Sequence, residues 1–282
     1  MELSGSDLAA ECGIGEGDGI RVQRAHAGGC DITRVRVETK EAAVRIGKPQ
    51  GRYVTLDFGN ICELDVREEE RVCCAVSVEM REMARRICPR REGTFGVLVA
   101  GLGNVDMTAD ALGAHTVRAL SVTRHLQMEE RVLLSGAGNC ALSAVAPGVV
   151  GQTGMESAEL LRGVVHSIQP DLVIAVDALA ARAPARLAAT VQLCDSGICP
   201  GSGVRRPRCA LNVETLGVPV IAVGVPTVIR CDTLIADVLG ETGGEMLCDG
   251  VRDLCVCPRE IDLVVLRAAR VLARAVERAF CQ

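Results

Sequence analysis

The chain has 282 residues, 49% of them hydrophobic but only 1% aromatic, with no Trp, three Phe and a single tyrosine, Tyr53. Its net charge is −5 and Lys40 and Lys48 are its only lysines; with no dense basic block and almost no aromatics for base stacking, direct nucleic-acid binding is not expected. No apolar run approaches the ~20 residues that span a bilayer, and the start MELSGSDLAAE lacks the basic and apolar regions of a secretory signal, so the expectation is a cytoplasmic protein without membrane contact.

A core of this composition is built from Val, Leu, Ile and Ala, whose short continuous runs suit buried parallel strands covered by helices. Residues 1–25 are rich in Gly and acidic residues and read as loosely held. Between 31 and 58, the alternating runs ITRVRVET and RYVTLDF flank the turn signal KPQG and predict a hairpin beside the core. Residues 66–89 are charge-rich with helical spacing. TFGVLVAGLGN is the first buried strand, and ADALGAHTVRALSVTRHL after it reads as a helix with Leu112, His115, Ala119, Val122 and Leu126 on one stripe. PDLVIAVDALAAR (170–182) is apolar through Val176, then turns to Asp177 and an Ala-rich helix start. GVPVIAVGVPTVI (217–229) is a third buried strand. PREIDLVVLRAARVLARAVERAF is a closing helix opened by Pro258, with a stripe through Ile261, Val265, Ala268, Leu272 and Ala279. Strands alternating with helices predict an α/β fold: a mostly parallel sheet covered by helices on both faces, with an additional N-terminal β hairpin region.

The stretch GLGNVDMTADALGAHTV (101–117) begins like a phosphate-cradling loop, yet Asp106 and Asp110 stand where the anion would arrive. Carboxylates there repel a phosphate, so the loop is expected to hold a carboxylate instead, with Gly101 and Gly103 allowing a sharp turn. Sites in open α/β sheets form outside the carboxyl ends of the strands. Asp110 lies in the first turn after one strand, and Asp177 comes directly off another. On neighbouring strands the two face a common cleft, where paired carboxylates share a proton and can activate water while protonating a scissile amide. Taken singly, each also suits a helix start, Asp110 as a first-turn charge and Asp177 as an N-cap.

Gly103, Asn104 and Asp195 are candidate lining residues. The Gly-rich loops APGVVGQTGMESAE and CDSGICPGSGV either cover the cleft or are ordinary turns. His115 reads as a half-buried helix residue rather than a base. There is no GxSxG elbow, no HExxH and no paired CxxC knuckle. Cys73 and Cys74 are adjacent, Cys255 and Cys257 form only a CxC, and four residues separate Cys194 from Cys199. The 15 cysteines therefore read as reduced, small core side chains. Neither a metal nor a cofactor is expected.

At these residues the sequence resembles the germination protease family of endospore-forming bacteria, atypical aspartic-type endopeptidases. The similar stretches are GLGNVDMTADALGAHTV, VTRHL, SAVAPGVVGQTGMESAE, PDLVIAVDALAARAPARLAATVQLCDSGICPGSGV, ETLGVPVIAVGVPTVI and CPREID, with SDLAAE and GKPQGRYVTLDF ahead of them. The resemblance thus runs along nearly the whole chain. It implies that Asp110 and Asp177 are the paired catalytic aspartates, on a fold like that of hydrogenase-maturation peptidases. As substrates it implies small acid-soluble spore proteins, degraded at germination and cut after an acidic residue that precedes a hydrophobic residue and Ala. It further implies a homotetramer in the forespore and spore core, made as a zymogen that cleaves itself between Asp7 and Leu8. That cut divides the chain into a short propeptide-like segment, 1–7, and a single peptidase domain, 8–282. The segment before Asp7 is shorter than the family's propeptide, and Cys194, Cys199 and the stretch 129–140 depart from the family pattern. Two rivals remain: a hydrogenase-maturation-type peptidase whose acidic residues recognise nickel, opposed by residues 1–60 and PGSGV, and a non-catalytic scaffold, disfavoured by retention of both aspartates.

Overall fold

The computed structural model describes residues 6–12, 17–88, 94–129, 140–200, 209–239, 251 and 254–281. Residues 1–5 of the propeptide-like segment, 130–139 of the altered stretch and 201–204 of PGSGV lie outside the described residues. In chain order the elements are β1 (Ile20–Ala27), β2 (Cys30–Val37), α1 (Lys40–Ile46), β3 (Gly51–Asp57), α2 (Val66–Ile87), β4 (Phe95–Gly101), α3 (Leu112–Ala119), α4 (Arg124–Glu129), β5 (Cys140–Val145), α5 (Val150–Thr153), α6 (Ser157–Ile168), β6 (Leu172–Ala181), β7 (Thr190–Cys194), α7 (Val213–Leu216), β8 (Val220–Arg230), α8 (Cys231–Leu239), β9 (Cys255–Val256) and α9 (Ile261–Phe280).

The strands form one mixed sheet in the order β1-β2-β3-β7-β8-β6-β4-β5, with β9 paired to β8. The three apolar runs singled out in the sequence become β4, β6 and β8, which with β5 lie side by side as its parallel part. From β8 the sheet continues antiparallel through β7, β3, β2 and β1. The expected hairpin, β2 with β3, is therefore an integral part of the same sheet, joined to the parallel strands through β7. β1 was not expected. Six of its eight residues, in the run QRAHA and at Arg21, are exposed, so the alternation that betrays a half-buried strand is missing.

Both faces are covered. One face of β4, β6 and β8 presents Val97, Val99, Ile174, Val176, Ile221 and Val223 to α2 and α9, through Val76, Met80, Leu272 and Val276. The alternate residues, Leu98, Ala100, Val173 and Ala175, meet Ala158, Leu161 and Val165 of α6 and Leu216 of α7. Alternation by two on the strands and by three or four on the helices is what this packing demands. Each Val or Leu so buried stabilises the fold by roughly 1.5–3 kcal/mol. The stripe expected on α9 is buried at Val265, Ala268, Leu272 and Ala279 and half-buried at Ile261.

Residues 6–12 are not loosely held as expected, since Leu8 and Ala9 are fully buried. Two further expectations fail. The single helix expected over 109–126 is two, because Leu120 turns to extended backbone and ends α3. Beyond it Ser121 N–H donates to Glu277 Oε1 at 2.7 Å and Thr123 N–H to the Leu142 carbonyl at 2.9 Å, drawing the chain onto α9 and β5. Ala119 is consequently exposed, as are Val122 and Leu126. The second failure is the Ala-rich helix start after Val176. β6 instead runs on as strand to Ala181, paired with β8 from Asp177↔Gly224 to Ala181↔Ile229, with a register shift between Leu179 and Ala180 that skips Thr227 on β8. The ladder on β8 overrides the helix propensity of alanine, and Asp177 is not an N-cap.

Candidate active site

The site begins where β4 ends. β4 and β6 are parallel neighbours with Gly101 opposite Val176, and the ladder continues one step further as Leu102 N–H donates to the Val176 carbonyl at 2.8 Å. Helix α3 lies directly on this junction. A Cβ on Gly101 would collide with the Gly113 carbonyl, and one on Gly113 would collide with Leu102 and stand 2.5 Å from the Val176 carbonyl oxygen. Two glycines facing each other let helix and strands touch through backbone.

From Leu102 the chain turns at Gly103, whose φ of 95° only glycine adopts readily, and a Cβ there would overlap the Asp110 carbonyl. Asp110 closes a 3-10 turn, Thr108–Asp110, and its Oδ2 accepts the Asn104 N–H at 2.7 Å. The turn is tied to β8 as well, since the Thr227 hydroxyl donates to the Ala109 carbonyl at 2.7 Å. Asp106 has a local task. Its N–H caps Asn104 Oδ1, and Gln152 Nε2 donates at 2.8 Å to both Asn104 Oδ1 and Asp106 Oδ2. The loop APGVVGQTGMESAE thus reaches the site through Gln152, a residue the sequence did not single out.

Asp177 follows Val176 on β6 and is 5% exposed, with Oδ1 accepting the Ala178 N–H at 3.0 Å. Asp110, Gly103 and Asn104 therefore form one hydrogen-bonded loop, and the backbone bond that starts this loop ends on the residue preceding Asp177. Asp177 lies within β6 at the level where β4 ends beside it, and Asp110 lies in the turn that follows β4, close to the strand-end position where open α/β sheets hold ligands.

Register also defines a row across the sheet. Asp177 is opposite Gly224, and Gly224 is opposite Gln192 on the other side of β8. Residues paired in register share a face. Gln192 is 7% exposed, and its amide grips the N-terminal segment: Nε2 donates to the Asp7 carbonyl at 2.8 Å, and Oε1 accepts from Ala9 N–H at 2.6 Å. Asp7 pairs with Ala180 as well, its N–H donating to the Ala180 carbonyl and its Oδ2 accepting the Ala180 N–H, both at 2.8 Å. Leu8 is fully buried. Nothing in the sequence marked Gln192 except an amide inside the apolar strand TVQLC.

Asp195 stands elsewhere. β7 runs antiparallel to β8, so its chain leaves Gln192 toward the amino ends of the parallel strands, and Cys194 is opposite Ala222. Asp195 lies three residues beyond Gln192, roughly 10 Å along the sheet, where its Oδ1 accepts the Arg52 N–H at 2.7 Å. Burial pushes its carboxyl above the usual range, partly offset by Arg52. Strand direction thus carries Asp195 away from Asp177 and beside Arg52. His115 is half-buried on α3, where burial and then Arg118 hold its imidazole below the usual value. The described cysteines are free thiols, and among the described residues no three His, Cys, Asp or Glu are grouped as metal ligands. Among them, too, no helix is long and apolar enough to cross a membrane.

A family model described as germination protease matches residues 7–243. The germination protease of Caldanaerobacter subterraneus subsp. tengcongensis is 38% identical, over 93% of this chain and 88% of its own length. That of Clostridium acetobutylicum is 35% identical, over 92% and 87%, and that of Bacillus subtilis 43% identical, over 80% and 61%. Among solved structures, the NiFe hydrogenase maturation protease HycI from Thermococcus kodakarensis KOD1 overlaps 71% of this chain and 99% of its own, at 16% identity and a TM-score of 0.35, too loose a likeness to carry an argument.

Proposed function

The chain belongs to the germination protease family, and on that premise we propose that it is the endopeptidase that starts the breakdown of small acid-soluble spore proteins at germination, with Asp110 and Asp177 as its working pair. The observation that supports this most is the placing of one carboxylate, Asp177, on β6 just past the end of β4, and of the other, Asp110, in the turn that follows β4, with the two segments linked through the Leu102–Val176 bond. One carboxylate takes a proton from water as its oxygen attacks the carbonyl carbon, and the other, carrying the shared proton, gives it to the departing nitrogen. Such a pair titrates as a unit, so acid and base are properties of the pair. The same reading includes a homotetramer in the forespore and spore core. It also includes a zymogen that cuts itself between Asp7 and Leu8, separating segment 1–7 from the peptidase domain.

Asp110→Asn and Asp177→Asn test it. Each is expected to keep the fold, judged by thermal melting, and to lower cleavage of a purified small acid-soluble spore protein by about 10²–10⁴-fold, read by mass mapping of the fragments. N-terminal sequencing of either variant is expected to show residues 1–7 still attached. Wild-type cleavage by either variant would overturn the pairing and favour the scaffold or another catalytic set.

A further inference from the structure

A primary amide buried without partners is destabilising, and Gln192 lies nearly fully buried in the middle of a strand. Its partners are two backbone groups of one short segment, the Asp7 carbonyl and the Ala9 N–H. These bracket the Asp7–Leu8 peptide bond. They lie on the face of the sheet that Gln192 shares with Asp177, and Gly224 between them contributes no side chain. Along β6 the backbone of Ala180 grips Asp7 twice, its carbonyl accepting the Asp7 N–H and its N–H donating to the Asp7 carboxylate. The Leu8 side chain fills a pocket of Leu179, Ala181 and Ile229, closed by Leu187 and Leu234. Glu11 pins the segment from the far side by accepting from the Arg182 and Ala183 N–H groups at 2.7 and 2.9 Å.

We propose that this groove over β6, β8 and β7 is the enzyme's peptide-binding subsite, and that Asp7–Ala9 fill it as a built-in pseudo-substrate. Gln192 holds the substrate backbone on both sides of the bond to be cut. The Ala180 N–H receives the acidic side chain before the bond, and the pocket at Leu179 receives the aliphatic side chain after it. This deepens the peptidase reading above and rests on it.

The same geometry supplies a release step. Hydrolysis adds the hydroxyl of water to the Asp7 carbonyl carbon and its hydrogen to the Leu8 nitrogen, which takes a further proton to become an ammonium near neutral pH. That charge is created on a fully buried residue, where desolvation makes it unfavourable. Departure of Asp7 removes the contacts to Ala180 and one arm of the Gln192 clamp. The new terminus leaves, and the groove opens to a substrate of the same pattern.

The probe is a fluorescein-labelled peptide of residues 4–11, SGSDLAAE, titrated by anisotropy into the full chain carrying Asp110→Asn so that it stays intact. Leu8→Ser in that background empties the groove and is expected to bind the peptide about tenfold or more tightly than the chain with Leu8. Adding Gln192→Ala is expected to weaken this by a similar factor, as is a peptide whose Asp is replaced by Lys. Asp7→Ala frees the groove without touching its apolar pocket, and thermal melting checks the fold of every variant. Equal binding with and without Leu8, or indifference to Gln192→Ala, overturns the groove. Cleavage of a small acid-soluble spore protein by the chain with Asp110 intact is scored separately. Binding without cleavage overturns the peptidase reading alone, and cleavage with binding indifferent to Gln192 overturns the groove alone.

Discussion

Gln192 on β7 and Asp195 just past its end are three residues apart and end up at different places in the chemistry, because a strand carries its residues along a line whose direction the sequence does not print. Asp195 is more telling for stability than for catalysis. Burial raises its carboxyl above the ordinary 3.8 of an aspartate, against the lowering effect of Arg52. The folded chain therefore binds that proton more tightly than the unfolded chain, so stability falls as pH rises from about 4 through the raised value, and the deficit persists above it. Asp195→Asn keeps an acceptor for the Arg52 N–H and removes the charge. It is expected to raise the melting temperature at about pH 7 and to leave it unchanged at about pH 3, where Asp195 is protonated in both states. Equal shifts at both pH values would show that charge is not the cause. Asp110 and Asp177 drew notice as candidates because an acidic residue next to an apolar run or in a Gly-rich loop is chemically odd. Gln192 and Gln152 were not, since an amide acquires meaning only through the partners it meets.

Elements were legible where periodicity was strong and unreadable where pairing decided. The buried runs of β4 and β8 and the long amphipathic α2 and α9 appear as expected, whereas β6 keeps its strand through an alanine-rich stretch only because β8 lies alongside. Short β5 and β7 offered too few residues for a period to show. The junction of β4 with α3 is the element-scale feature on which Asp110 depends. Gly113→Ala would force a methyl into Leu102 and the Val176 carbonyl, all of it backbone that cannot swing aside. Overpacking of this kind costs about 1–3 kcal/mol, or a fall in melting temperature of roughly 2–4 °C per kcal/mol in a chain of this size. Cleavage is expected to fall with it as the Asp110 turn is displaced. Gly163→Ala on α6 is the control, since nothing lies within 4 Å of its added Cβ, and it is expected to stabilise by about 0.5–1 kcal/mol. A Gly113→Ala variant as stable and active as the parent would remove the close backbone contact as the reason for glycine there.

At the scale of the molecule, the α/β class was legible from alternating patterns, but the antiparallel extension was not, because its edge strand is polar and its join to β8 is long-range. One apolar cluster nevertheless spans both parts of the sheet, from Ile32 and Leu56 on β2 and β3 to Val99 and Leu142 on β4 and β5, under α2 and α9. The two helices are fastened to each other unequally. Arg267 on α9 is 19% exposed and binds Glu69 of α2 together with the Cys62 and Leu64 carbonyls, at 2.7 and 2.6 Å. Arg274 pairs with Glu70 at the surface, half exposed. Removing Arg267 leaves two carbonyls and a half-buried carboxylate without their donor, which costs about 2–4 kcal/mol, whereas Arg274→Ala stays within about 1 kcal/mol. Urea melts separate the two variants by midpoint. If the shared cluster makes the sheet one cooperative unit, Arg267→Ala shifts the midpoint without changing the slope. Fluorescence of Tyr53, the only tyrosine and buried on β3 in the antiparallel part, then falls in step with the helical circular dichroism. Tyr53 melting apart from the helices would mean that β1, β2 and β3 unfold on their own, and that α2 clamps two units rather than covering one.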